Sequence, residues 1–317
     1  MVVSRSEWTP EAGGGSFSPS RGILKIERNV AENHASLTDK KQAALAALRQ
    51  HGKLVVALSG GVDSAVLLAL AVEAVGPERV LAVTGRSASL GDDDLADARE
   101  VARHLSVRHE VLETREMDRE GYRANRGDRC YHCRSELFDL LVGLALRRGF
   151  DAVAYGAILD DLDDARPGMK AASERRVLAP LLDARLRKDE VRALAEEAGL
   201  RLKDKPASPC LSSRIPVGTE VTEGRLDQVR RAESALRSLG FRQFRVRHHG
   251  DVARLELDPE GERLILDPGV RAQVAASVRA SGFRFVTVDL EGYRSGSLNP
   301  GIPLLSQRIG PNRSSGQ

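Results

Sequence analysis

The sequence is poor in cysteine. Its 317 residues include three, Cys130, Cys133 and Cys210. An odd count argues against a secreted disulfide framework and points to the cytoplasm. Charge of one sign is lacking too: 48 basic against 45 acidic residues leave a net +3. Affinity for a polyanion would therefore need a local patch, and a nucleic-acid partner is not expected. No apolar run approaches the ~20 residues that cross a bilayer, so no membrane partner is expected either. Met1 to Ser36 carries Gly13-Gly14-Gly15 and scattered Ser and Pro, without a hydrophobic signal core. It reads as a disordered extension. Internal repeats are absent. What remains is an ordinary globular composition, 41% apolar and 29% charged, with length for one large domain and a small one.

From Lys40 to about Arg214 short apolar runs alternate with longer amphipathic ones. Strands are expected at 54–58, 79–84, 109–113 and 152–157, with a further apolar segment at 177–182. Helices are expected at 63–75, 92–105, 135–148 and 188–198. This alternation implies an α/β fold, a parallel sheet with helices on both faces. After Arg214 the pattern changes to a helix over 222–239, a hairpin turning at Gly250-Asp251, a helix over 270–280 and a strand over 283–290. That is a smaller α+β unit. The expected division is an extension to residue 36, a nucleotide domain over 37–215, a substrate or oligomerisation domain over 216–296, and a flexible tail over 297–317.

Ser59-Gly60-Gly61-Val62-Asp63-Ser64 sits between a buried strand and an apolar helix. In a parallel sheet that is the ligand-binding edge. Two glycines admit an anion close to the backbone, and the helix start offers free N–H groups and a positive dipole end. Ser59 and Ser64 can add hydroxyl donors. Asp63 is odd beside a polyphosphate unless Mg²⁺ mediates or it caps the helix. No lysine follows, so this is not the Lys-containing NTPase loop. It resembles the S-G-G-x-D-S loop of ATP pyrophosphatases, the adenine-nucleotide alpha-hydrolase (PP-loop) type, which make adenylated intermediates. ATP is the implied cofactor.

Cys130-Tyr131-His132-Cys133 is a C-x-x-C, and Cys210 stands in Ser208-Pro209-Cys210-Leu211-Ser212. A structural zinc would want a fourth ligand, and His132 inside the motif is awkwardly placed. A redox dithiol is possible, although the motif does not open a helix in a thioredoxin-like unit. Three thiolates suit a [4Fe–4S] cluster with one open iron that can hold a sulfide. Plain thiols are the remaining reading.

Four stretches together resemble the LarE family: Arg129 to Cys133, Tyr155 to Gly168, Asp204 to Arg214 and Arg245 to Asp251. The similarity runs from about Ser36 to Asn299. LarE proteins are ATP-dependent sulfur transferases of nickel-pincer nucleotide biosynthesis. The resemblance implies adenylation of a carboxylate of pyridinium-3,5-biscarboxylic acid mononucleotide, loss of pyrophosphate, and attack by sulfur. It implies sulfur donation at Cys210, either by sacrifice of that cysteine or through a [4Fe–4S] cluster on Cys130, Cys133 and Cys210. It also implies a homo-oligomer.

The hairpin register places Arg247 opposite Arg254 and Arg245 opposite Glu256, with Phe244, Val246, Leu255 and Leu257 on the core face. Facing arginines repel unless an anion or a carboxylate offsets them. Arg245, Arg247 and the family-matched Arg294 are candidates for the substrate phosphate; a solvated basic strand is the plain alternative. Asp160, Asp161, Asp163 and Asp164 follow a strand end, and Asp161 is the candidate for Mg²⁺. A tRNA thiolase would share the loop but should add a basic RNA-binding element. A non-catalytic nucleotide sensor would have no use for Cys210. A glutamine amidotransferase would need a glutaminase domain.

Overall fold

The structure, a computed structural model, describes residues 35–162, 167–205, 209–294 and 298. The expected extension, apart from Ala35 and Ser36, lies outside the described residues, as do Asp163, Asp164 and, apart from Leu298, the expected tail. Helix α1 (Leu37–Arg49) starts on a capping box, with Ser36 Oγ accepting from Asp39 N and Asp39 Oδ2 from Ser36 N. β1 (Leu54–Ala57), α2 (Val62–Val75), β2 (Val80–Arg86), α3 (Asp92–His104) and β3 (Arg108–Glu113) follow. The short α4 (Glu120–Ala124) and the long α5 (Arg129–Arg148) lead to β4 (Ala152–Tyr155). Then come α6 (Pro167–Glu174), α7 (Pro180–Asp183) and α8 (Lys188–Glu197).

Four parallel strands make the first sheet, in the order β3-β2-β1-β4. Strand alternation sorts their side chains onto two faces. Leu54, Val56, Val80, Ala82 and Ala154 pack with α1, α2, α3 and α8. Val55, Leu81, Val83, Val153 and Tyr155 pack with α5 and α6. Both faces are covered, as an all-parallel sheet requires. The α/β expectation holds. The apolar segment at 177–182 becomes one parallel bridge, Leu178 to Ala154, followed by α7.

One expectation fails. The helix expected at 135–148 starts at Arg129, so the C-x-x-C does open a helix. Its first turn carries Cys, His and Arg without an apolar stripe, and periodicity could not extend the helix to it.

Beyond a short 3₁₀ turn (Leu211–Arg214) lie α9 (Glu223–Ser238), β5 (Phe244–His249), β6 (Val252–Leu257), α10 (Pro259–Leu264), α11 (Pro268–Ala280) and β7 (Phe285–Val288). β5 and β6 pair antiparallel in the expected register, and β7 lies parallel to β6. The core of this small sheet also takes Tyr122, Leu211 and Ile215 from upstream, with Met117 and Cys133 packed against it. The segments that carry the cysteines are therefore built into the seam beside the second sheet.

Candidate active site

β1, β2 and β4 all end at one edge of the sheet, and the chain crosses from one side of β1 to the other between β3 and β4. Such a switch point is where open α/β sheets bind ligands. Ser59–Ser64 forms the loop there. Gly60 has φ 77°, and a Cβ on it would meet the Asp94 carbonyl oxygen at 2.0 Å. Gly61 caps α2 without a side chain, leaving first-turn N–H groups for an anion. Ser64 Oγ lies 3.0 Å from the Gly61 carbonyl oxygen, accepts from Ser59 N at 3.1 Å, and stands 3.1 Å from Ser59 Oγ. These bonds hold the loop open and its serine hydroxyls together.

Asp63 does not cap the helix. Both its oxygens lie 2.8 Å from Lys188 Nζ, at the start of α8. The loop that lacks a lysine in sequence thus receives one from 125 residues away. Lys188 N also donates to Asp160 Oδ2 at 3.0 Å. Asp161 Oδ2 accepts from Ile158 N at 3.1 Å, which tightens the turn after β4. A second lysine, Lys205, reaches the Gly60 carbonyl at 2.9 Å, Asp94 at 2.7 Å and Asp97 at 2.5 Å. Burial disfavours its charge, yet the two carboxylates more than offset that and raise its pKa.

Cys210 is exposed at the head of the 3₁₀ turn, its Sγ 3.0 Å from Ser212 Oγ. Leu211 N donates to Ser89 O at 2.9 Å, fastening this turn to the loop after β2. Cys130 is exposed in the first turn of α5, and Cys133 is half-buried one turn on. Burial pushes the Cys133 thiol well above the usual range, and negative charge on Glu116, Cys210 and Cys130 adds to this. Cys133 therefore lies within electrostatic reach of the other two thiols. Among the described residues no group of three or more His, Cys, Asp or Glu is placed to hold a single metal ion. A cluster several ångströms across takes its thiolates further apart than one ion does.

The basic strand is not solvated: Arg245 and Arg247 are 8% and 5% exposed. Arg247 Nη2 meets Glu256 Oε2 at 2.8 Å, and Arg254 reaches Glu256 Oε1 at 3.1 Å. Arg214, which stood in a family-matched stretch without an assigned role, is held by Glu233 through two bonds of 2.8 and 2.9 Å. Burial opposes its charge; Glu233 and the Cys210 sulfur outweigh burial and raise its pKa. Arg245 lies over the Tyr293 ring at 5.1 Å. Its pKa is lowered, by burial first and then by repulsion from Arg214. Arg294 pairs with Glu291 and Asp289. Arg214 donates to the Cys210 carbonyl at 3.2 Å and Arg247 to the Ser213 carbonyl at 3.0 Å, with Glu233 and Glu256 as their buried carboxylates. Glu256 was visible opposite Arg245 in the register; Glu233, on a helix, had no such signal.

Comparison with known proteins agrees with this geometry. A family model described as NAD synthase matches residues 37–128. An uncharacterized protein of Synechocystis sp. is 43% identical over 247 residues, 78% of this chain and 92% of that protein. The pyridinium-3,5-bisthiocarboxylic acid mononucleotide synthase of Lactiplantibacillus plantarum is 38% identical over 268 residues, 84% of this chain and 95% of that protein. The tRNA-specific 2-thiouridylase MnmA of Mycobacterium sp. (strain KMS) is 32% identical over 188 residues, covering 49% of this chain and 52% of its own. Sheet, loop and matched model define an ATP-using enzyme of the PP-loop class. The chain belongs to the LarE family, the ATP-dependent sulfur transferases of nickel-pincer cofactor biosynthesis.

Proposed function

We propose that this chain adenylates the carboxylates of pyridinium-3,5-biscarboxylic acid mononucleotide and converts them to thiocarboxylates. The observation that carries this reading is Cys210 between the phosphate-loop edge and the buried arginines, its turn fastened to the loop after β2. A carboxylate oxygen attacks the α-phosphorus of ATP and pyrophosphate leaves. Sulfur then attacks the acyl carbon and AMP leaves. The α2 N-terminus, Ser59 and Ser64 bind phosphate oxygens, with Gly60 and Gly61 giving the backbone its close approach. Lys188, held by Asp63, adds positive charge where negative charge builds up on the leaving pyrophosphate. Arg245, Arg247 and Arg294 take the substrate phosphate, each bond worth about 1.5–3 kcal/mol.

Asp161 would help to hold Mg²⁺, which neutralises charge on the pyrophosphate when bound. Cys130, Cys133 and Cys210 would hold a [4Fe–4S] cluster, which supplies an open iron for an extra sulfide. The influence of Cys130 and Cys210 on Cys133 supports that assignment. Residues 37–215 form the nucleotide unit and 216–296 the substrate and oligomerisation unit of a homo-oligomer. A cytoplasmic location goes with the reaction; no described helix is long and apolar enough to cross a membrane.

Anaerobically purified protein tests the reading. With the mononucleotide and ATP it should release pyrophosphate, contain iron and acid-labile sulfide, and turn over repeatedly when sulfide is supplied. Iron-free protein that leaves Cys210 lighter by H₂S after one turnover would move the sulfur source to that cysteine. Absence of pyrophosphate release would overturn the reading as a whole.

A further inference from the structure

Two segments far apart in the chain carry the three thiols, and one buried side chain joins them. Asn125 closes α4 with φ 52°, in the left-handed region that asparagine tolerates better than most residues, and is 1% exposed. Its Nδ2 donates to the Pro216 carbonyl at 2.8 Å and to the Thr219 carbonyl at 2.9 Å. Its Oδ1 accepts from Arg129 Nη1 at 2.7 Å. Carbonyls on one side and a guanidinium on the other fix which end of the carboxamide is nitrogen. The backbone repeats the link: Gly218 N donates to the Asn125 carbonyl and Val221 N to the Arg123 carbonyl, each at 2.8 Å.

Each side of this clasp leads to a thiol. Arg129 opens α5 and immediately precedes Cys130, with Cys133 one turn on. Pro216 to Val221 follows the 3₁₀ turn that Cys210 heads, and Arg214 in that turn donates to the Cys210 carbonyl. Leu211 and Ile215 enter the same apolar core as Tyr122, with Cys133 packed against it. Packing does not close the seam throughout. Beside Asn125 the two segments leave an open cavity of about 410 Å³, lined by Glu120, Arg123, Ala124, Arg126, Gly218 and Glu220. There the hydrogen bonds of Asn125 and Arg123 span what side chains do not fill.

The hydrogen-bond partners of the carboxamide lie on the two cysteine-bearing segments and not on the phosphate loop. What it can set is therefore the placement of the C-x-x-C turn against Cys210, and not the binding of nucleotide. We propose that Asn125 is a positioning residue for sulfur transfer, holding the Cys130–Cys133 turn and Cys210 in fixed relation. This role rests on the sulfur-transfer reading and adds to it the group that keeps sulfur aligned with the acyl carbon. When the alignment is loose, water attacks the acyl carbon in place of sulfur, AMP leaves and the original carboxylate is restored. ATP is then split without product.

Two readouts on the full chain, purified anaerobically, test this role. Asn125→Asp keeps the size of the side chain, its tolerance of a positive φ and its Arg129 partner, but turns a carboxylate oxygen on the Pro216 and Thr219 carbonyls. Hydrogen exchange read by mass spectrometry should speed up at least about tenfold over 125–133 and 210–221, with the Ser59–Ser64 loop unchanged. Thiocarboxylate formed per pyrophosphate released should fall at least about fivefold, while pyrophosphate release stays within about twofold. A merely structural role would lower both products in step with the loss of folded protein. If Asn125→Asp does not fold, Asn125→Gly carries the test, since it accepts the same φ and loses the carboxamide bonds without adding charge. Exchange that rises nowhere or over the whole chain, or an unchanged product ratio, overturns the proposal. An unaltered chain that releases no pyrophosphate or makes no thiocarboxylate sinks the parent reading and this role with it. The exchange readout needs neither substrate nor iron, so it still shows whether the clasp joins the segments.

Discussion

Arg214 and Glu233 show how much of the site depends on single buried charges. Their side chains are 3% and 2% exposed, and Glu233 Oε1 also accepts from Val246 N at 3.1 Å, tying α9 to β5. Removing one partner of such a pair leaves a charge buried alone. Glu233→Ala should therefore cost about 3–5 kcal/mol in urea unfolding, far more than loss of an exposed pair. A cost under about 1 kcal/mol would mean that water reaches Arg214. These residues also mark where sequence reading stops. Gly60, Gly61 and the serines were legible because the loop's function is local. Lys188, Lys205, Glu233 and Glu116 act on residues far away along the chain, and no spacing rule announces them. Lys205 stood inside a family-matched stretch without an assigned role.

Among the elements, the β5–β6 hairpin was read to the residue because a two-residue turn fixes the phase of both strands. The start of α5 was missed because its first turn was chosen for chemistry and not for packing. The contact between β4 and α2 was not legible at all. A Cβ on Gly156 would lie 2.7 Å from Ser64 N and 2.9 Å from the Asp63 carbonyl carbon, both backbone atoms that cannot turn aside. Gly156→Ala should push the end of β4 off the phosphate loop and weaken ATP at least about tenfold by calorimetry, as loss of roughly one charge-assisted bond would. Gly224, in the first turn of α9, faces open space and has no positive φ. Gly224→Ala should leave ATP affinity unchanged and raise stability by up to about 1 kcal/mol. If both variants bound ATP alike, the close approach would carry no function.

Over the whole molecule, three histidines bias stability in one direction. His109, His248 and His249 all have lowered pKa values, caused first by burial and then by Arg99, Arg225 and Arg254 respectively. Thr84 Oγ1 gives its one proton to the Leu58 carbonyl, so His109 Nε2, 2.8 Å away, carries the hydrogen of a neutral ring. With folded values below the unfolded ~6.5, the unfolded chain binds more protons as pH falls. The stabilisation is complete above about pH 6.5 and is lost as pH drops through the folded values. The melting temperature should fall from about pH 7 to 5, and the double variant H109Q/H248Q should fall less steeply. A flat profile for the unaltered chain would contradict this.

The Lys205 contact with the Gly60 carbonyl has a consequence for timing. Cys210 follows five residues later, and five extended residues span at most about 18 Å. Sulfur is therefore on a short leash whose peg is driven into the nucleotide's own cradle. It has no range to fetch and carry between distant stations, as a swinging arm does. In the proposed reaction the acyl-adenylate, which water would destroy in transit, would be met by sulfur where it is made.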